Sequence, residues 1–141
     1  MSKITIEDFN QLLSEEMPWA MDAGMILDSL GDGVAKMRIP FNEGMLRPGG
    51  TVSGPTMMML ADAVMYAVVL SAIGKVPLAV TTSFNINFLN RPRPADLIAD
   101  GKTLKIGRRL AVVEVSIYSE GQSEPVAHAT GTYSIPPDRD T

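Results

Sequence analysis

One carboxylate in this sequence sits where a carboxylate is costly. Asp62 is the only charged residue in PTMMMLADAVMYAVVLSAI, residues 55–73, a stretch otherwise built mainly from Met, Leu, Ala, Val and Tyr. Burying a carboxylate in such surroundings costs several kcal/mol unless it is paired or takes up a proton. General-base or nucleophilic chemistry is one reason to keep such a group. A structural aspartate bonded to a neighbouring loop is the competing explanation.

A second feature lies at the start of the same stretch. Gly54 precedes Pro55, which suits a first helical turn because its missing N–H costs nothing there. The N-terminus of a helix carries roughly +0.5 of a unit charge, and a glycine lets its backbone N–H approach a ligand closely. Aimed at a substrate carbonyl, that N–H would form an oxyanion hole, with Ser53 and Thr51 adding hydroxyl donors. Plain helix capping accounts for the same residues. Asp62 follows Gly54 by eight residues, about 12 Å along an α-helix. A carbonyl held at Gly54 and attacked from about 3–3.5 Å cannot also meet Asp62 of the same chain. If both act on one bond, they come from different subunits, and the chemistry requires at least a dimer.

The elements that must position these groups follow from periodicity. Residues 4–15 read as a short amphipathic helix with Ile6, Phe9 and Leu13 at helical spacing, and a turn through Met17, Pro18 and Trp19 follows. Residues 25–30 and 34–39 read as strands around the turn Gly31-Asp32-Gly33. A Gly/Pro-rich loop, NEGMLRPGGTVSG, leads to a long helix over residues 55–73, which Gly74 ends. That helix is apolar on nearly every side and must be buried nearly all round. Four strands follow, over 80–89, 97–106, 110–118 and 126–135, the second broken by Gly101. Phe84, Ile86 and Phe88 alternate with Asn85 and Asn87. Ala111, Val113, Val115 and Ile117 share one face, as do Ala127, Ala129, Tyr133 and Ile135. Four consecutive strands on short turns argue for an antiparallel α+β arrangement, a sheet curled around one central helix.

Composition narrows the chemistry. The length, 141 residues, suits one domain. There is no cysteine, which excludes disulfides, thiolate chemistry and cysteine-based zinc sites. The one histidine, His128, lies among Thr130, Thr132 and Ser134 and reads as a surface or structural residue. No metal is expected. Net charge is −4, which does not suit a nucleic-acid binder. Yet six of the twelve cations, Arg91, Arg93, Lys102, Lys105, Arg108 and Arg109, fall between positions 91 and 109, as a phosphorylated ligand would want. A solvated loop and strand edge explain them as well. The N-terminus shows no secretory signal, and the apolar stretch reads as a core helix rather than a membrane span, so the expected location is the cytoplasm.

The stretches RPGGTVSGPTMMMLADAVMYA, AVTTSFNINFLNRPRPADLIADGKTLKIGRRLAVVEVSIYSE and PVAHATGTYSI resemble the phenylacetyl-CoA thioesterase (PaaI-like) branch of the hotdog superfamily, over residues 30–135. The family pattern is an Asn, then Gly-x-x-His-Gly-Gly, then an acid nine positions beyond the His. Gly50, Gly54 and Asp62 match it, while Arg47 replaces the Asn, Ser53 the His and Pro55 the second glycine. The resemblance implies a hotdog fold and hydrolysis of a small or medium acyl-CoA, aromatic acyl groups included. Asp62 would act as nucleophile or base, and Gly54 N–H of the partner subunit would polarise the carbonyl. It implies a hydroxyl at the start of the strand after the helix, where Thr81 fits best, to orient water. It also implies CoA contacts from the turn KIGRR, chiefly Arg108 and Arg109 with Lys105 and Arg91 behind them, and no cofactor beyond the CoA of the substrate. The expected assembly is a homodimer, paired into a tetramer. A non-catalytic acyl-CoA sensor on the same fold is the alternative. A dehydratase ranks last, because His128 is the only histidine that could pair with Asp62.

Overall fold

A computed structural model describes residues 1–137. Helix α1, Ile6–Glu16, begins with a capping box: Thr5 Oγ1 accepts from Asp8 N–H, and the Asp8 carboxylate accepts from Thr5 N–H. Phe9, Leu12 and Leu13 are its buried face. The expected turn at Met17–Trp19 is instead the start of a one-turn helix, α2, Pro18–Asp22, because Pro18 takes the first helical position.

Strands β1, Ile26–Gly31, and β2, Val34–Ile39, form the expected hairpin. The Gly/Pro-rich loop is more ordered than its composition suggests. It holds a 3-10 turn, Glu43–Met45, and a two-residue ladder of β3, Leu46–Arg47, with β4, Thr51–Val52, closed through Gly49 and Gly50 at positive φ. The long helix α3 spans Gly54–Ile73 and ends at Gly74. Strands β5, Val80–Phe88, β6, Leu97–Ile106, β7, Leu110–Ser119, and β8, Ala127–Ser134, complete the chain.

Six strands form one sheet in the order β1-β2-β6-β7-β8-β5, antiparallel at every pairing. The sheet curls around α3, as a helix apolar on nearly every side required, and this is the hotdog arrangement that the resemblance implied. Leu60, Val64, Met65, Val68 and Leu70 of α3 are fully buried. Each buried side chain of this size contributes about 1.5–3 kcal/mol of transfer free energy. Gly101 does not break β6. It lets α3 lie close to the sheet, since a Cβ there would come within 2.9 Å of Val68 Cγ2. Gly131 on β8 does the same beneath Met65, whose sulfur would lie 2.5 Å from an added Cβ. The helix is long and apolar enough to cross a bilayer, but here it is the core of the fold.

Candidate active site

Asp62 lies near the middle of α3. Its neighbours Ala61 and Ala63 are fully buried, whereas Asp62 is only partly so. Trp19, Met58, Met59, Thr81 and Phe84 line an open cleft of about 420 Å³ beside it. All but Thr81 are apolar, so Asp62 is the one ionisable group on the wall. A smaller recess that also reaches Asp62 is lined in part by Glu16, Tyr66, Thr81 and Tyr133.

Two hydroxyls converge on one oxygen of this carboxylate. Thr81 Oγ1 donates to Asp62 Oδ1 at 2.9 Å, and Tyr133 O–H donates to the same Oδ1 at 2.9 Å and to the Asp62 carbonyl at 3.2 Å. A break in strand register brings Thr81 there. Simple alternation through Phe84, Ile86 and Phe88 would turn Thr82 toward the helix and Thr81 away. Between Thr81 and Ser83 the pairing with β8 shifts by one residue, so Thr81 sits opposite Tyr133 and shares its inward face. Thr82 is the extra residue, exposed, its hydroxyl donating to the Thr132 carbonyl.

Tyr133 is itself held. Its ring stacks on Tyr66 at a centroid distance of 6.3 Å, and Tyr66 O–H donates to the Pro77 carbonyl. Burial, reinforced by the Asp62 charge, pushes the Tyr133 hydroxyl far above the ordinary phenol range. Burial and Glu16 push Tyr66 up to about 12. Both remain neutral donors at any ordinary pH. The sequence placed Tyr133 on the inward face but missed its role. The available signal was that a buried tyrosine hydroxyl needs a partner, and Asp62 is the one charged acceptor that the core helix offers.

Gly54 begins α3 and packs under the Phe88 ring, 3.3 Å from where a Cβ would stand. Its N–H belongs to the first turn, whose donors have no intrahelical acceptor. Ser53 is the N-cap. Its Oγ accepts from Thr56 N–H and lies 2.7 Å from Thr56 Oγ1, so the hydroxyl expected to serve chemistry is engaged in starting the helix. Within one chain, then, Gly54 sits at the Phe88 end of β5 and Asp62 at the Thr81 end. The chain does not bring them together.

The cations are also divided. Lys105, Arg108 and Arg109 lie at the β6–β7 turn, where Ile135 N–H bonds the Arg109 carbonyl. Arg91 and Arg93 lie at the opposite end of the sheet, after Leu89 and Asn90 bond the Val126 carbonyl and beside Ser119, which accepts from Arg93 N–H. The ten residues of β7 separate these ends by about 30 Å. The run of charge between positions 91 and 109 is therefore not one patch on a protomer, because β6 carries its two halves apart. Lys102 pairs with Glu114 at 3.3 Å, and His128 lies 3.5 Å from the same carboxylate on the outer face. Arg47 is exposed on the short hairpin before α3, and no basic side chain among the described residues pairs with Asp62. No cluster among the described residues is arranged to hold a metal ion.

Comparison with known proteins agrees with this fold. A Saccharolobus solfataricus protein provisionally named an esterase is 30% identical over 133 residues, covering 94% of this chain and 86% of its own. The crystal structure of a Silicibacter protein provisionally named a thioesterase superposes with a TM-score of 0.87 at 41% identity, over 97% of this chain and 95% of that one. A mutant of the phenylacetic acid degradation protein PaaI from Thermus thermophilus gives 0.76 at 25% identity, over 84% of this chain and 99% of its own. The sequence profile of the thioesterase superfamily matches residues 49–126, a span that holds Gly54, Asp62 and Thr81. This chain belongs to the thioesterase superfamily and is a thioester hydrolase.

Proposed function

We propose that the protein hydrolyses an acyl-CoA thioester with a small or medium apolar acyl group, aromatic ones included, in a site completed by two subunits. The observation that carries this reading is the opposed placement of Asp62 and Gly54 along an open strand edge. Among the described residues strand β5 pairs only with β8, and Val80, Phe88 and Leu89 on and after it are more than half exposed. A long, unpaired edge with apolar residues at both ends invites a second strand. A twofold pairing of β5 with β5 runs antiparallel, so the Thr81 end of one strand lies beside the Phe88 end of the other. That pairing sets Asp62 of one protomer near Gly54 of its partner. It also sets Arg91 of one subunit toward the turn bearing Lys105, Arg108 and Arg109 of the other, a divided home for the CoA phosphates. Arg47, exposed on the hairpin that precedes the partner's Gly54 in the chain, would join them.

In this site the acyl group occupies the cleft of Trp19, Met58, Met59 and Phe84. Gly54 N–H stabilises charge developing on the thioester oxygen. Asp62 either takes a proton from water as its oxygen bonds to the carbonyl carbon, or attacks that carbon itself to give an anhydride that water then opens. In both courses the C–S bond breaks. The water oxygen ends in the carboxylic acid and a proton reaches the CoA thiolate. The reaction uses no cofactor beyond the CoA of its substrate. The reading treats the chain as one hotdog domain of the PaaI-like branch, acting in the cytoplasm as a dimer or a pair of dimers.

The test is thiol release from a panel of acyl-CoA esters by the wild type and by Asp62→Asn. Turnover by the wild type and a loss of at least about a hundredfold in the variant, roughly 2.7 kcal/mol of barrier, would support the enzyme. Tight binding of the esters without turnover would instead support a sensor.

A further inference from the structure

We infer that Tyr133, with Thr81, is a positioning residue that locks one oxygen of the Asp62 carboxylate and leaves the other as the reacting atom. The inference rests on the reading of Asp62 as the acting carboxylate. Thr81 and Tyr133 both donate to Oδ1, each at 2.9 Å, while Oδ2 accepts no hydrogen bond from the described residues. Two donors on one oxygen fix the carboxylate against rotation about its last bond. The bond from Tyr133 to the Asp62 carbonyl ties the same hydroxyl to the backbone of α3, so side chain and helix are held from one point. With Oδ1 engaged toward β5 and β8, Oδ2 is the oxygen available to the cleft along which Asp62 lies. Attack or proton transfer requires such a fixed geometry, and a misplacement of about 1 Å can cost a hundredfold.

Tyr133 suits this task because its hydroxyl is a donor that does not change with pH: burial keeps its proton in place. The stacked Tyr66, anchored on the Pro77 carbonyl, holds the ring in turn. The titratable side chains facing this side of the carboxylate are Glu16 from α1, Tyr66 from α3 and Tyr133 from β8, and the larger cleft adds none.

The experiment compares wild type, Tyr133→Phe and Asp62→Asn for thiol release from the best acyl-CoA of the panel, with kcat, KM and the pH profile of each. Tyr133→Phe keeps the ring and removes only the donor. We expect kcat to fall about tenfold with KM within about twofold, since a hydrogen bond to a charged group is worth that much. The acid limb of the profile should move to higher pH by about half a unit or more, because a lost donor disfavours the charged carboxylate. The shift should persist in a Glu16→Gln background. A Tyr133→Phe enzyme with a lower Tm but wild-type kcat and profile would make Tyr133 merely structural and overturn the inference. An inactive Asp62→Asn beside it would leave the proposed function standing. A wild type that releases no thiol, or a fully active Asp62→Asn, would overturn both. Should Tyr133→Phe fail to fold, Thr81→Val removes the other donor and must move the acid limb the same way; no movement overturns the inference.

Discussion

The two sides of α3 solve opposite problems. Toward β6 and β8 the helix presses onto glycine: Val64 and Val68 over Gly101, Met65 over Gly131, with Ala99, Ala129 and Val115 buried between. The side chains meeting these two glycines are apolar, and interior packing of this density leaves no space to add an atom. Toward the start of β5 the same helix presents Met58, Met59 and Asp62 to an open cleft, and Trp19 and Met58 stay 39% and 42% exposed. One side is specified by volume. The other carries polar groups whose cost the packed side offsets, which is how a small domain keeps a charge in its core helix.

Substitutions can break this contrast, and the largest effect belongs to the open side. Asp62→Asn should cost at least about a hundredfold in turnover while leaving Tm unchanged or raised, since it removes a charge and keeps an acceptor for Thr81 and Tyr133. A parallel collapse of Tm would mean that Asp62 serves the fold. On the packed side Gly101→Val should do the reverse. Overpacking against Val68 should cost about 1–3 kcal/mol, a Tm drop of about 3–10 °C, with activity per folded molecule retained. A stable Gly101→Val would show that the helix has slack.

Smaller effects sharpen the picture. Trp19→Ala should raise KM for apolar acyl esters several-fold, by about 1 kcal/mol of lost burial, and leave kcat within about twofold. An unchanged KM across the panel would move the acyl group elsewhere. The smallest effect is on stability at high pH. Tyr66 titrates near 10 when unfolded and at about 12 when folded, so its contribution is whole below pH 10 and lost as pH rises to about 12. Denaturant midpoints of the wild type should therefore fall across that window by more than those of Tyr66→Phe.

Much of the fold was legible because it rests on local periodicity. Alternation placed β2, β7 and β8 within a residue or two, and a helix apolar all round demanded a sheet to enclose it. Asp62 stood out for the same reason, as one charge in an apolar run. What the sequence hid depends on contacts between distant segments. Gly101 looked like a break in β6 because only α3, lying above it, shows why a glycine is needed. The resemblance put the hydroxyl at Thr81, but alternation through Phe84, Ile86 and Phe88 does not explain it; the register shift against β8 does. Tyr133 is 71 residues from the carboxylate it touches, and Trp19 reaches the cleft from a helix that looked like a turn. The cations adjoin in sequence but not in space, because a ten-residue strand runs between them.

The central claim is that the site joins Asp62 of one subunit to Gly54 of another, and mixed assembly tests it directly. Gly54→Pro removes the N–H at a position where proline suits a helix start, and should alone cost about 10²–10³ in turnover. Each single variant, Asp62→Asn or Gly54→Pro, should be nearly inactive. Unfolded together in equal amounts and refolded, half the dimers become mixed, and each mixed dimer holds one site with both groups intact. Activity should then return to about a quarter of the wild type. Refolded mixtures no more active than the separate variants, with mixed dimers shown to be present, would put both groups in one chain and contradict the account.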